Sequence, residues 1–328
     1  MIFRTDRRER KDTNMNPYTY VPDAGKLEQM KHPHVFLRYP GGRAKAVTFS
    51  FDDGVVEDAW LARELRRRGM RATFNVNAGL CTYDVPDYEK LDPSYFPVKS
   101  IQRRLTVEEL RAAFGEGIDA GDIEIACHAY THAQLTLLDS GAVAWELCRD
   151  RAALEALTGA PVRGFAYPQG AASDAVADAL RACGLAYGRL AWSTGGFALP
   201  EDPYRFAPTC HFLEENAPTL AEQYVALPVS EGVFGWHTQP TLCYIWGHGY
   251  EMRTEADYAR AAALFDTLAG HDDVWYPTNI EWFDYKAAFD RLIFGIDRTV
   301  VQNPSAIPVW VLANGQIREL APGAVVQL

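Results

Sequence analysis

From Lys45 to about residue 295, short β-type runs alternate with longer amphipathic helical patterns. This alternation constrains the fold more than any other feature, because repeated βα units assemble as a parallel sheet covered by helices. KAVTFSF reads as a strand leading into a helix across VVEDAWLARELRRRG, and RATFNVN as a strand before the helix TVEELRAAF. GDIEIAC, a helical pattern from about Leu137 to Leu157, VRGFAYP and SDAVADALRAC continue the series. LAYGRLAWS, TLCYIWG and DVWYPTN read as further strands, and EADYARAAALFDTLAG and the stretch near NIEWFDYKAAFDRLI as further helices. About six or seven such units in roughly 250 residues favour a closed or nearly closed barrel over an open Rossmann sheet. The expected fold is therefore α/β, a distorted (β/α) barrel of about seven strands over residues 41–295.

The flanks differ. Residues 1–40 mix charge runs with Pro17, Pro22, Pro33 and Pro40, which suits an extended N-terminal arm. Residues 296–328 carry β-branched runs around Asn314-Gly315 and no helical period, which predicts a small C-terminal β appendage without catalytic residues.

Composition narrows the partners. A net charge of −11 is the opposite of the basic surface that attracts phosphate backbones or anionic lipids, so neither nucleic acid nor membrane is an expected partner. The six cysteines are scattered, without CxxC spacing, and read as reduced thiols. The first residues lack an apolar secretory core and no later stretch has the length of a membrane span, so the expected location is cytoplasmic, although a leader removed earlier from a secreted form would leave the same appearance.

The clearest polar signals fall at predicted strand ends, where βα barrels place their active sites. Thr48-Phe49-Ser50-Phe51-Asp52-Asp53-Gly54 is an apolar strand ending in two carboxylates, which point to different sides, so that one can bind a cation while the other faces substrate. Asp-Asp-Gly is also an ordinary turn and N-cap sequence. His128-Ala-Tyr-Thr-His132 follows the strand GDIEIAC, and histidines four apart share one face of a helical turn. With Asp53 they make a two-histidine, one-carboxylate set that leaves positions open for water and substrate. Arg163-Gly-Phe-Ala-Tyr167-Pro168-Gln169-Gly170 brackets a turn able to expose a backbone N–H to an oxyanion, or an ordinary loop. Tyr244-Ile245-Trp246-Gly247-His248 ends a strand in a candidate general acid, with Trp246 a wall for a small acyl group. His211, His237 beside Trp236 and Glu251 can also line the cleft, and each is at least as readily structural.

These four stretches, in this order over about residues 40 to 290, resemble the polysaccharide deacetylase family, also called carbohydrate esterase family four. The resemblance implies a distorted barrel that hydrolyses acetamide on N-acetylated glycans, or acetyl esters on some. It assigns the base role to Asp52, the metal to Asp53, His128 and His132, an oxyanion-binding N–H to Gln169 and the acid role to His248. Tyr167, Trp246 and Arg189 join Gln169 as expected oxyanion or substrate contacts. Family members commonly carry an arginine where this chain has Ala166, to orient the base; Arg163 or Arg189 can substitute, and Arg189, at the end of its strand segment, is preferred. Ala129 stands where Ser or Thr is usual, and Trp192 in LAWSTGG is the one remnant of the fourth motif, with no aspartate beside it.

The expected chemistry is hydrolysis at one divalent metal, zinc foremost, with cobalt, nickel or iron compatible with the same donors. Asp52 would activate water, and His248, on the opposite side of the metal, would protonate the leaving nitrogen of an acetylated sugar or oligosaccharide. Two rivals are a metal-dependent amidohydrolase of a small non-polymer amide, which the altered third motif favours, and a sugar-binding barrel without turnover, its stacking surfaces drawn from 12% aromatic residues. Oligomeric state is not legible.

Overall fold

In the computed structural model the described residues are 34–81, 103–229 and 239–328, so His237 and the arm through residue 33 lie outside them. The elements are β1 (Val35–Arg38), β2 (Lys45–Asp52), α1 (Asp58–Arg66), β3 (Ala72–Val76), α2 (Val107–Ala120), β4 (Ile123–Cys127), α3 (Ser140–Thr158) and α4 (Asp174–Ala182). There follow β5 (Cys210–His211), α5 (Ala217–Val225), β6 (Thr241–His248), α6 (Glu255–Leu268), β7 (Val274–Trp275), α7 (Asn279–Asp290), β8 (Ile293–Phe294), β9 (Val300–Gln302), β10 (Val309–Ala313), β11 (Gln316–Leu320) and β12 (Val325–Gln327).

The central sheet runs β4-β3-β2-β6-β5, with β7 also paired to β2, and all of these pairings are parallel. The α/β class expected from the alternation is what forms. The two segments expected as further strands, VRGFAYP and LAYGRLAWS, are reduced to single parallel bridges, Cys127–Phe165, Ala166–Arg189 and Arg189–Phe206. Their composition explains this: Pro168 has no N–H for a ladder, and Gly164 and Gly188 sit where side chains crowd the backbone. A Cβ on Gly188 would lie 2.6 Å from the Tyr167 ring.

Strand β2 is buried along its whole length, as a central parallel strand must be. Its alternation is nonetheless chemical. Val47, Phe49 and Phe51 join the large apolar cluster with helix residues Leu61, Leu65, Leu110, Phe114, Leu264 and Phe265, while Thr48, Ser50 and Asp52 form the opposite row. Thr48 Oγ1 donates to Asn279 Oδ1 at 2.8 Å, Asn279 Nδ2 donates to Tyr244 Oη at 2.7 Å, and Asn75 Nδ2 donates to Ser50 Oγ at 2.7 Å. Glu124, also buried, accepts from Thr73, Tyr187 and the N–H of Ile280. A hydrogen-bonded polar interior thus runs beneath Asp52, in which Asn75 Oδ1 is a buried atom left without a partner.

The tail is β structure, as its pattern predicts. β10 and β11 meet through a two-residue turn in which Asn314 and Gly315 take φ values of 51° and 76°, the left-handed pair that a tight hairpin needs. The tail is also tied to what precedes it. β1 pairs antiparallel with β10, Val301, Val309, Val311 and Leu320 cluster with Ala288 and Leu292, and Tyr285 Oη accepts from Trp310 N at 2.8 Å while donating to Arg38 O at 2.7 Å. Among the described residues no helix is long and apolar enough to cross a membrane.

Candidate active site

Parallel register sets the first contacts. Asp52, the last residue of β2, is aligned with Asn75 on β3 and with His248 on β6, so base and acid candidates meet edge to edge at the carboxyl ends of three adjacent strands. Beyond Asp52 the chain turns sharply, with Asp53 at φ 86° and Gly54 at φ 64°, and Asp53 N donates to Asn75 O at 2.8 Å. Both carboxylates are buried.

The His128–His132 stretch departs from the helical turn expected of it. It is a loop in which Ala129 and His132 both take left-handed backbone, φ 60° and 59°, and its hydrogen bonds come from outside. Asp150 on α3 accepts from His128 N through one oxygen and from Ala78 N through the other, each at 2.8 Å. Glu146, one turn earlier, accepts from Thr131 N and Thr131 Oγ1 at 2.8 and 2.6 Å. Asn77 Nδ2 donates to the carbonyls of His128 and Ala129. Two carboxylates at i and i+4 on a helix and one amide hold the loop that carries the histidines.

The imidazoles converge all the same. His128 Nε2 lies 3.7 Å and His132 Nε2 3.5 Å from Asp53 Oδ1, with one donor atom from each residue within 4.8 Å of the others. His128 Nδ1 lies 2.9 Å from Ala166 O; a carbonyl can only accept, so the proton is on Nδ1 and Nε2 offers its lone pair. Burial lowers the His128 pKa to about 4, against the pull of Asp52 and Asp53, leaving the neutral ring that ligates metals. The set fits a divalent ion: a tetrahedral site with bonds of about 2.0–2.2 Å needs only a small inward adjustment of these separations. Asp53 Oδ1 is buried without a hydrogen bond, and its charge is met by Arg104 Nη1 at 2.8 Å.

Arg189 resolves the missing arginine. It is fully buried, and its guanidinium donates through Nη2 to Asp52 Oδ1 and lies 4.7 Å over the Trp246 ring. Arg189 N donates to Phe165 O and Tyr167 N to Arg189 O, so the side chain reaches Asp52 from the segment neighbouring Ala166. This is the contact for which Arg189 is preferred over Arg163. Arg163 instead pairs with Asp284 on the surface. Burial alone would raise the Asp52 pKa, but Arg189, His128 and His248 bring it down to about 2. The Tyr167 ring is buried and its hydroxyl donates to Tyr204 O at 3.0 Å. Gln169 is exposed at φ 60° in the Pro168–Gly170 turn.

His248 Nε2 lies 3.9 Å from Asp52 Oδ2. They are neighbours through the β2–β6 register rather than groups with the metal set between them. Trp246 is largely buried, stands edge-on to His211 and His248 at ring-centroid distances of 5.1 and 5.4 Å, and has an indole N–H without a partner. Glu251 and His211, which have no diagnostic spacing, also gather here; the pair of residues three apart, His248 and Glu251, was the one available signal.

Residues 39–188 match the polysaccharide deacetylase family model. Solved structures similar to this chain include a family 4 carbohydrate esterase from Streptomyces lividans in complex with acetate, at 18% identity and TM-score 0.44, with 71% of this chain and 92% of that one covered. A polysaccharide deacetylase from Bacillus cereus is 21% identical with TM-score 0.36, over 48% of this chain and 44% of that one, so the chain spans less than half of its length. A CE4 family pseudoenzyme from Bacillus anthracis is 17% identical with TM-score 0.43, over 76% and 68%. No curated protein matches.

Proposed function

We propose that this protein is a metal-dependent hydrolase that removes acetyl groups from N-acetylated or O-acetylated sugars. The observation that carries the reading is the meeting, at adjacent strand ends, of the Asp53–His128–His132 donor set with Asp52 and His248. The match of residues 39–188 to the polysaccharide deacetylase family model supports the substrate class.

A divalent ion held by Asp53, His128 and His132 would supply Lewis acidity toward the acyl carbonyl and lower the pKa of water, to about 7 on zinc. Asp52, kept ionised by Arg189, takes the proton of the attacking water. Gln169, in the Pro168–Gly170 turn, is the residue whose backbone N–H would stabilise an oxyanion. His248 delivers a proton to the departing nitrogen, a role more valuable for an amide than for an ester with a better leaving group. The altered third motif favoured a small-amide hydrolase, and Arg189 at Asp52 removes that motive.

The test is acetate release by zinc-loaded protein from chitooligosaccharides, acetylated xylan, peptidoglycan fragments and small amides. Asp52→Asn should retain zinc uptake and lose about 10²–10⁴-fold in turnover, the usual worth of a positioned base. Turnover confined to small amides, or an Asp52→Asn variant as active as the parent, would sink the proposal.

A further inference from the structure

Glu251 stands between two imidazoles. Its Oε2 is 2.5 Å from His211 Nε2, 3.2 Å from His248 Nδ1 and 3.2 Å from His248 N. A carboxylate can only accept from these groups, so each ring turns an N–H toward it. The opposite nitrogen of His211 fixes its tautomer, because Leu213 N donates to Nδ1 at 3.2 Å. His211 is therefore a neutral donor to Glu251. With Nδ1–H of His248 committed to Glu251, Nε2 is the atom turned toward Asp52. The 2.5 Å separation of Glu251 and His211 is a short hydrogen bond.

The placement is built by the fold. β5 pairs with β6 so that His211 is aligned with Trp246, and the Gly249–Glu251 turn brings the carboxylate back onto its own strand end. Gly247 allows β5 to approach this closely, as a Cβ there would lie 2.2 Å from the Phe212 ring and 2.9 Å from His211 Nε2.

We propose that Glu251, itself anchored by His211, is the positioning residue for His248, holding its Nε2 toward Asp52 and the reacting atoms. The inference rests on the reading of His248 as the acid. The charged and titratable groups around that ring are Asp52 and Asp53 at the end of β2, His132 from the loop after β4, His211 from β5 and Glu251 from its own turn. Burial works against protonation of His248, and the hydrogen bond to Glu251 with the nearby carboxylates raises its pKa above the ordinary value. Glu251 is correspondingly held well below the carboxylate range by the two histidines, against its own burial.

The experiment compares zinc-loaded parent, Glu251→Gln, Glu251→Asp and His211→Phe proteins. Acetate release from a chitooligosaccharide is set beside hydrolysis of 4-nitrophenyl acetate, and the His248 imidazole is titrated by nitrogen-15 NMR. Glu251→Gln should lose at least about tenfold more on the amide than on the ester, a share of the roughly 10²–10⁴-fold that a positioned acid contributes. The His248 midpoint and the alkaline limb of amide turnover should fall together, Glu251→Asp should recover part of both, and His211→Phe should shift them in the same direction by less. Equal losses on amide and ester with the His248 midpoint unmoved would overturn the proposal. A falling midpoint in a protein whose parent releases no acetate would support the positioning and refute the acetyl-sugar function instead.

Discussion

Replacing Arg189 by Met removes one positive charge from a site where both partners are buried, while keeping a side chain of similar reach. Asp52 then loses the strongest of the charges that offset its burial, and its pKa should climb from about 2 past the ordinary 3.8. The sign follows from the depressed value. In the parent, ionised Asp52 stabilises the fold at any pH above 3.8, by about 2 kcal/mol, and this contribution is lost as pH falls through 2. In the variant burial dominates and the term becomes a penalty, so the total change should approach the roughly 3–5 kcal/mol of a broken buried ion pair. Arg163→Ala provides the contrast, because Arg163 and Asp284 have side chains 38% and 46% exposed, and such pairs contribute about 0–1 kcal/mol. Urea unfolding at pH 7 measures both variants, and the acid limb of acetate release should move to higher pH in Arg189→Met alone. An Arg189→Met protein that loses under about 1 kcal/mol, with its acid limb in place, would refute the assignment of Arg189 as the partner that keeps the base ionised.

Glu124 is fully buried and its pKa is pushed up to about 7 by that burial, against the hydrogen bonds from Ile280 N, Thr73 and Tyr187. Its ionisation opposes the fold, so stability should decline by about 3 kcal/mol as pH rises from about 4.5 to 7, and Glu124→Gln should flatten that part of the stability profile in urea titrations. Deleting residues after Asp297 strips Val301, Val309, Val311 and Leu320 from Ala288 and Leu292 and leaves β1 unpaired; at about 1.5–3 kcal/mol for each large buried side chain, the truncated chain should unfold at markedly lower temperature. A thermal midpoint equal to that of the full chain would show that the tail is dispensable to the fold.

The legible parts were those governed by period and by residue type. Alternation named the α/β class, Asp52 and Asp53 stood at a strand end, and Asn314-Gly315 marked a hairpin, because each depends on neighbours within a few residues. What escaped depends on contacts distant in the chain. α5 carries no unusual period, and β5 is two residues long, so neither stands out above the loops around it. Arg189 could be preferred from its strand-end position, yet its buried bond to Asp52, 137 residues away, is a matter of which segment lies beside Ala166. Glu251 was visible as an acid near a histidine, while its sharing between His248 and His211 required the pairing of β5 with β6. The convergence of His128 and His132 was anticipated for a geometric reason that the chain does not use.

That last difference bears on how the site is held. Among the described residues the non-glycine positions at positive φ are Asp53, Ala129, His132, Gln169, Arg298 and Asn314. Four of these six belong to the candidate site, although such backbone disfavours any residue with a Cβ and costs of order 1–3 kcal/mol where the surroundings impose it. The surroundings that impose it are identifiable. Asp150, Glu146 and Asn77 take up the backbone groups of residues 128–131, Asn75 O accepts the Asp53 N–H, and Arg104 donates to Asp53 O at 2.6 Å. A helical turn would have satisfied the His128 and Ala129 carbonyls locally, without Asn77. The loop instead makes the spacing of Asp53, His128 and His132 depend on α3 and on β3 together, so the donor set is only as rigid as the packing of those elements against β4. Fixing ligands by surrounding carboxylates and amides, with the local backbone held off its preferred minimum, is how a metal site on loops can reach the precision otherwise given by helices and strands.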